Sequence, residues 1–249
     1  KIETLISIFI SGKRPSGSSD PYALRRNLNG IILIIWQFEL NLSIEDIFEE
    51  LLEYWKSSLS NLKFEKEKVL NDLIEFSNQR IVNHLDELSI DKDLSKATCL
   101  IDSSTEKRII NILDLKNRIN TISQLKKNAN FSEIKKVISR ISKLAEKGNL
   151  QTTILSSMDY VNPILFEKEC ETNVFEFIKE LEKLQLSPDF DYFKLFSLFQ
   201  TNTKILNELF DNEKGVLVMA EDIKIRNNRL NLLGLVRNYS LKIADFRLL

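Results

Sequence analysis

What most limits the folding choices of this 249-residue chain is its scarcity of breakers: six glycines and four prolines in all. Between them, apolar residues recur every three or four positions wherever a period can be seen. That is the spacing of one helix face rather than the alternation of a strand. The expected fold is therefore all-α, a set of helical bundle domains joined by short loops. Hydrophobic residues make up 43% of the chain and charged residues 29%, enough for a core under a polar surface. The longest apolar run, near 31–36, is too short to cross a bilayer.

A helix is predicted from about Pro21 to Phe38, with Asp20 as its N-cap and Pro21 at the first helical position, where a missing N–H has no partner to lose. Another opens at Ser43, with Ile44, Ile47, Leu51 and Leu52 on one face. Glu45, Asp46, Glu49 and Glu50 lie near its start, where the helix dipole favours acids. A third spans about Glu65 to Leu88. The polar, aperiodic stretch 86–105 is the expected interior boundary. Beyond it helices are predicted near 104–114, 116–127 and 131–147, and later near 172–185, 189–200, 202–211 and 220–246. A Ser-, Thr- and Asn-rich connector runs between Gly148 and Pro163.

Several chemistries are disfavoured. His84, the sole histidine, has no neighbour at metal-ligand spacing, so zinc centres and Ser-His-Asp triads are not expected within the chain, and it reads as a surface or packing residue. No metal site is expected. Gly12-Lys13-Arg14-Pro15-Ser16-Gly17 imitates a phosphate loop, but its lysine follows the first glycine, which is the wrong order. Acid pairs such as Glu49 and Glu53 read as solvated helix surface rather than acid–base dyads. Cys99 and Cys170 are expected to be reduced thiols. The opening without Met, and without a cleavable signal, is expected of a segment from a longer cytoplasmic protein.

The net charge of −1 conceals a pattern: residues 105–150 hold eleven cations against four acids. Lys107, Arg108, Lys116, Arg118, Lys126, Lys127, Lys135, Lys136, Arg140, Lys143 and Lys147 form either a solvated face or a surface for polyanions, which release counterions on binding clustered cations.

Both ends of the chain carry a more specific signal. Gly12, Pro15, Gly17, Ser18, Asp20, Pro21, Ala23, Leu24, Arg25 and Arg26 lead into an apolar helix. At the other end stand Val216, Val218, Met219, Ala220, Glu221, Asp222, Arg226, Asn228, Arg229, Leu230, Leu232, Leu233, Arg237, Ala244 and Asp245. In this order the two motifs resemble the β subunit of bacterial heterotetrameric glycyl-tRNA synthetase. Ser16, Ser19 and Tyr22 replace that family's usual Thr, Lys and Phe; Ile243 replaces Val, and Asn212–Gly215 resembles a small insertion.

The resemblance implies a division of labour. The α subunit of an α2β2 tetramer would carry the catalytic core, with its ATP and Mg, and no cofactor would bind this chain. The β subunit would recognise glycine tRNA through a C-terminal helical domain similar to the anticodon-binding domain of arginyl-tRNA synthetase. On that reading residues 1–40 are the tail of an HD-like domain and a linking helix, 41–160 a helical body, and 161–249 the C-terminal part of the anticodon-binding domain. Arg226, Asn228, Arg229 and Arg237 are the candidate tRNA contacts, with Arg226 and Arg229 three apart on one helix face. Arg229 has an alternative partner in Glu221 or Asp222. Gly17, Asp20, Arg25 and Arg26 are candidate hinge or interdomain residues. The rival functions are a free-standing RNA-binding protein and a non-catalytic helical scaffold.

Overall fold

Helical periodicity dictates the architecture. Eleven α-helices and a single 3-10 turn form among the described residues, which are 1–17, 19–59, 61–99 and 110–249 of a computed structural model. No strand occurs among them, apart from an isolated bridge between Ser16 and Ser19. Ser18, Lys107, Arg108 and most of the helix expected over 104–114 lie outside the described residues. The contacts gather into two compact units, Lys1–Ile119 and Asn120–Leu249.

The first unit holds α1 (Ile2–Ile10), α2 (Leu24–Phe38), α3 (Ile44–Ser58), α4 (Lys66–Glu87), α5 (Lys92–Thr98) and the start of α6 (Ile112–Leu125). The long helix α4 packs against α1, α2, α3 and α5. Leu5, Leu28, Ile32, Phe48, Leu52, Leu73 and Ile81 are almost wholly shielded from water. The predicted start of α3 is present: the Ser43 hydroxyl accepts from the Asp46 N–H at 3.1 Å. The start of α2 needs a correction. Ala23, with φ +55°, is the N-cap, and Pro21 sits in the preceding turn rather than inside the helix. Asp20 nevertheless supplies the capping oxygens from further back, accepting from the N–H groups of Leu24 at 2.8 Å and Arg25 at 3.1 Å. Sequence patterning did not anticipate α1, or α5 within the polar stretch 86–105.

The second unit holds α7 (Phe131–Ala145), the 3-10 turn Pro163–Leu165, α8 (Glu169–Gln185), α9 (Tyr192–Thr201), α10 (Thr203–Glu208) and α11 (Ile223–Leu241). Here α11 is the central element, packed on α7, α8 and the 3-10 turn. From Asn228 to Ser240 almost every residue of α11 is buried, polar ones included. A helix enclosed on all sides loses the apolar-stripe pattern of a surface helix. Gly234 permits the closest approach: a Cβ there would stand 2.8 Å from Cδ2 and 3.2 Å from Cβ of Leu150.

Candidate nucleic-acid interface

The polar residues of α11 find their partners inside the unit. Arg237 donates from a terminal nitrogen to the Leu150 carbonyl at 2.7 Å, and its Nε donates to Asn238 Oδ1 at 2.9 Å. Asn238 Nδ2 in turn donates to the carbonyls of Gln151 at 2.8 Å and Ile154 at 2.6 Å. The Tyr239 hydroxyl reaches the Leu155 carbonyl at 2.9 Å. Further up the helix, Asn231 Nδ2 donates to the Tyr160 carbonyl at 2.7 Å. Asn228 and the Asn162 backbone bond in both directions, the N–H of Asn162 donating to Asn228 Oδ1 at 2.7 Å and Asn228 Nδ2 to the Asn162 carbonyl at 3.1 Å. The predicted connector is thus a strap tied mainly to side chains of α11, with one further bond from the Ser157 N–H to Glu182 on α8 at 2.6 Å.

Arg229 is held more tightly still. Its Nε donates to Glu171 Oε1 at 2.9 Å, and its terminal nitrogens reach Glu167 at 2.6 Å and the Leu217 carbonyl at 3.0 Å. Burial works against the charged guanidinium, but bonds to Glu171 and Glu167 outweigh it and raise its pKa further. Neither Glu221 nor Asp222 is its partner. Asp222 instead caps α11, accepting from the N–H groups of Lys224 at 2.7 Å and Ile225 at 3.0 Å. The backbone donors of Ile225 and Lys224 hold its carboxyl below the usual range.

Asn228, Arg229 and Arg237 are buried, with their polar arms engaged internally, while Arg226 remains part-exposed on the first turns of α11. Among the hinge candidates, Arg25 donates to the Gly17 carbonyl at 2.7 Å and Asp20 caps the same helix, so Gly17, Asp20 and Arg25 share one closed turn. Gly17 takes φ +51°, a left-handed conformation that suits glycine. Arg26 is exposed.

Where the strap meets the start of α11, a groove of about 520 Å³ opens, lined by Tyr160, Asn162, Lys224, Asn227, Asn228 and Asn231 among others. Tyr160 is 39% exposed and lines the groove. Asn227 is exposed and its amide makes no bond among the described residues, so it presents both a donor and an acceptor. Asp159 adds one acid to the wall. Tyr160, Asn162, Lys224 and Asn231 escaped the sequence reading. The one available signal was Asp159-Tyr160-Val161-Asn162-Pro163, a turn-forming stretch with an aromatic residue inside it.

Catalytic constellations do not form around the residues that might have supplied them. His84 is buried, 6.3 Å from the Trp36 ring and 3.3 Å from Glu87. The free thiol of Cys99 is pushed up to about 11 by burial, and Cys170 is raised for the same first reason. Glu53 pairs with Lys66 at 2.8 Å rather than with a second acid. Among the described residues, no group of three or more His, Cys, Asp or Glu side chains is arranged to hold a metal ion, and no helix is long and apolar enough to cross a membrane.

Fold and groove define a protein that is all-helical among its described residues, with a polar candidate binding surface. Residues 1–100 match the family described as glycyl-tRNA synthetase beta subunit. Glycine–tRNA ligase beta subunits from Acaryochloris marina and Picosynechococcus are 34% and 36% identical to the chain over 99% of its length. That of Clostridioides difficile is 28% identical over 98%. Over nearly its whole length the chain is similar to these β subunits, and it spans about a third of their length, 35%, 34% and 33% respectively.

Proposed function

We propose that this chain is the tRNA-recognising, C-terminal portion of a glycine–tRNA ligase β subunit. It supports ATP-dependent charging of tRNA with glycine by a catalytic α subunit, within a cytoplasmic α2β2 assembly whose ATP and Mg bind to α. Its second unit serves as the anticodon-binding domain, of the kind found in arginyl-tRNA synthetase.

The observation that carries this reading is the groove beside the start of α11. An anticodon loop exposes unstacked bases, which are recognised by stacking on aromatic rings and by hydrogen bonds to their edges. Tyr160 offers the ring and Asn227 the free amide. Lys224 and Arg226 stand on the same helical turns as cations for the adjoining phosphates. Asn228 forms the wall rather than a contact. In the same reading, the turn that joins Gly17, Asp20 and Arg25 positions the module against the rest of the β subunit, with Arg26 available at the surface for a partner.

Gel-shift titration of the full chain with glycine tRNA and with a transcript altered only in its anticodon tests the proposal. The expected result is preference for the natural transcript, diminished by Asn227→Ala. Equal affinity for both transcripts, or binding to neither, would contradict it.

A further inference from the structure

We propose that the outer face of α7 is a docking ridge for the sugar–phosphate backbone of RNA, an extension that rests on the tRNA-binding reading above. The inner face of α7 carries Phe131, Ile134, Val137, Ile138, Ile141 and Ala145 into the core. The opposite face presents Lys136, Arg140, Lys143 and, in the turn that follows the helix, Lys147, all exposed. Their spacings of four, three and four residues keep them on a single line. At a rise of about 1.5 Å per residue the line is roughly 16 Å long. Phosphates are dense on that scale, about one per 1.7 Å of axis in a DNA duplex.

Three features distinguish this ridge from an ordinary solvated face. A solvated helix face commonly mixes signs, because opposite charges one turn apart attract and like charges repel. Here the four aligned positions are all cationic, and none of them makes an ion pair among the described residues. The acids at the margins are occupied elsewhere: Glu146 pairs with Arg247, and Glu133 accepts from Asn207 at 3.3 Å. Finally, Arg140 lies over the Phe210 ring, 4.1 Å from its centroid. Stacking fixes the planar fork without neutralising it and leaves its edge donors for phosphate. Repulsion along the ridge is relieved when a polyanion replaces its counterions, and the RNA-reading chemistry of the groove lies in the same compact unit.

The test is equilibrium binding of glycine tRNA to the full chain over a salt series, with a Lys136→Gln, Arg140→Gln, Lys143→Gln, Lys147→Gln variant. Glutamine retains helix propensity. A control variant neutralises four exposed lysines of the first unit, Lys56, Lys63, Lys68 and Lys92, in the same way. Thermal melts confirm that each variant is folded. The ridge variant should show a plot of log affinity against log salt that is shallower by about 3, one lost counterion contribution for most of the removed cations. The control should retain most of the parent's slope. A ridge variant with the parent's slope, or a control that loses as much, overturns the ridge while leaving the tRNA reading intact. Displacement of bound tRNA by an acidic polypeptide but not by an RNA duplex would assign the ridge to a protein partner and overturn it as well. A parent chain that binds no tRNA even at low salt removes both.

Discussion

Arg229 donates to Glu171 at 2.9 Å, and Glu171, fully shielded from water, spends its other oxygen on the N–H groups of Glu167 and Lys168 that open α8. One ion pair thereby ties the central helix α11 to the start of α8. Removing Arg229 strands the buried Glu171 carboxylate, a loss on the order of 3–5 kcal/mol, and removing Glu171 leaves the buried Arg229 only the half-exposed Glu167. Arg229→Met and Glu171→Gln should each lower the midpoint of urea unfolding markedly at neutral pH. If Arg229 faced tRNA instead, Arg229→Met would weaken RNA binding and leave the midpoint alone.

Asp20 serves as the cap of α2 from outside the helix, so Asp20→Ala should destabilise the first unit by about 1 kcal/mol, as loss of a side-chain cap does. Asp20→Asn, which keeps an accepting oxygen, should lose less. Urea unfolding of the three chains side by side checks the order.

Arg237, Asn238 and Tyr239 hold the carbonyls of the strap at Leu150, Gln151, Ile154 and Leu155. Arg237→Leu should release it locally, seen as faster amide hydrogen exchange over residues 150–155 than in the parent chain. Unaltered exchange would show that the guanidinium is not what holds the strap.

The Cys99 thiol, raised from 9.0 to about 11 by burial, should react sluggishly with a disulfide reagent in the folded chain near pH 8 and rapidly in urea. The linkage has a definite sign. A folded pKa above the unfolded value contributes stability that is fully present below pH 9 and is lost as pH rises toward about 11. Denaturation midpoints measured across that window should fall more for the parent than for Cys99→Ser.

On the proposed function, stacking of a base on Tyr160 would contribute about 1–3 kcal/mol, as at other single-strand sites. Tyr160→Ala should therefore weaken glycine tRNA binding by about 5- to 150-fold without shifting the thermal melt. Its backbone carbonyl, which Asn231 holds, survives the substitution.

Much of this architecture is legible in the amino-acid sequence. The starts of α3 and α4 follow from amphipathic spacing, with the acids at the start of α3 favoured by the helix dipole. The candidate site was less legible for an identifiable reason. Arg226, Arg229 and Arg237 look like one basic face only if their helix lies at the surface. Packing of α7, α8 and the strap around α11 turns two of the three inward. Nothing local distinguishes an arginine that will meet phosphate from one that will meet a buried glutamate 58 residues away. Tyr160 and Asn162 were invisible for a related reason, since the groove is made by a connector folding back on a distant helix. By contrast, the cationic line on α7 depends on intrahelical spacing alone, and that is legible in sequence.

On the proposed function, this chain binds RNA while bond formation takes place on another polypeptide. Filter binding of the full chain to glycine tRNA and to a non-cognate tRNA, from low to physiological salt, tests it most directly. The expected result is preferential binding of glycine tRNA, with log affinity falling linearly against log salt. Absence of binding at the lowest salt would contradict it.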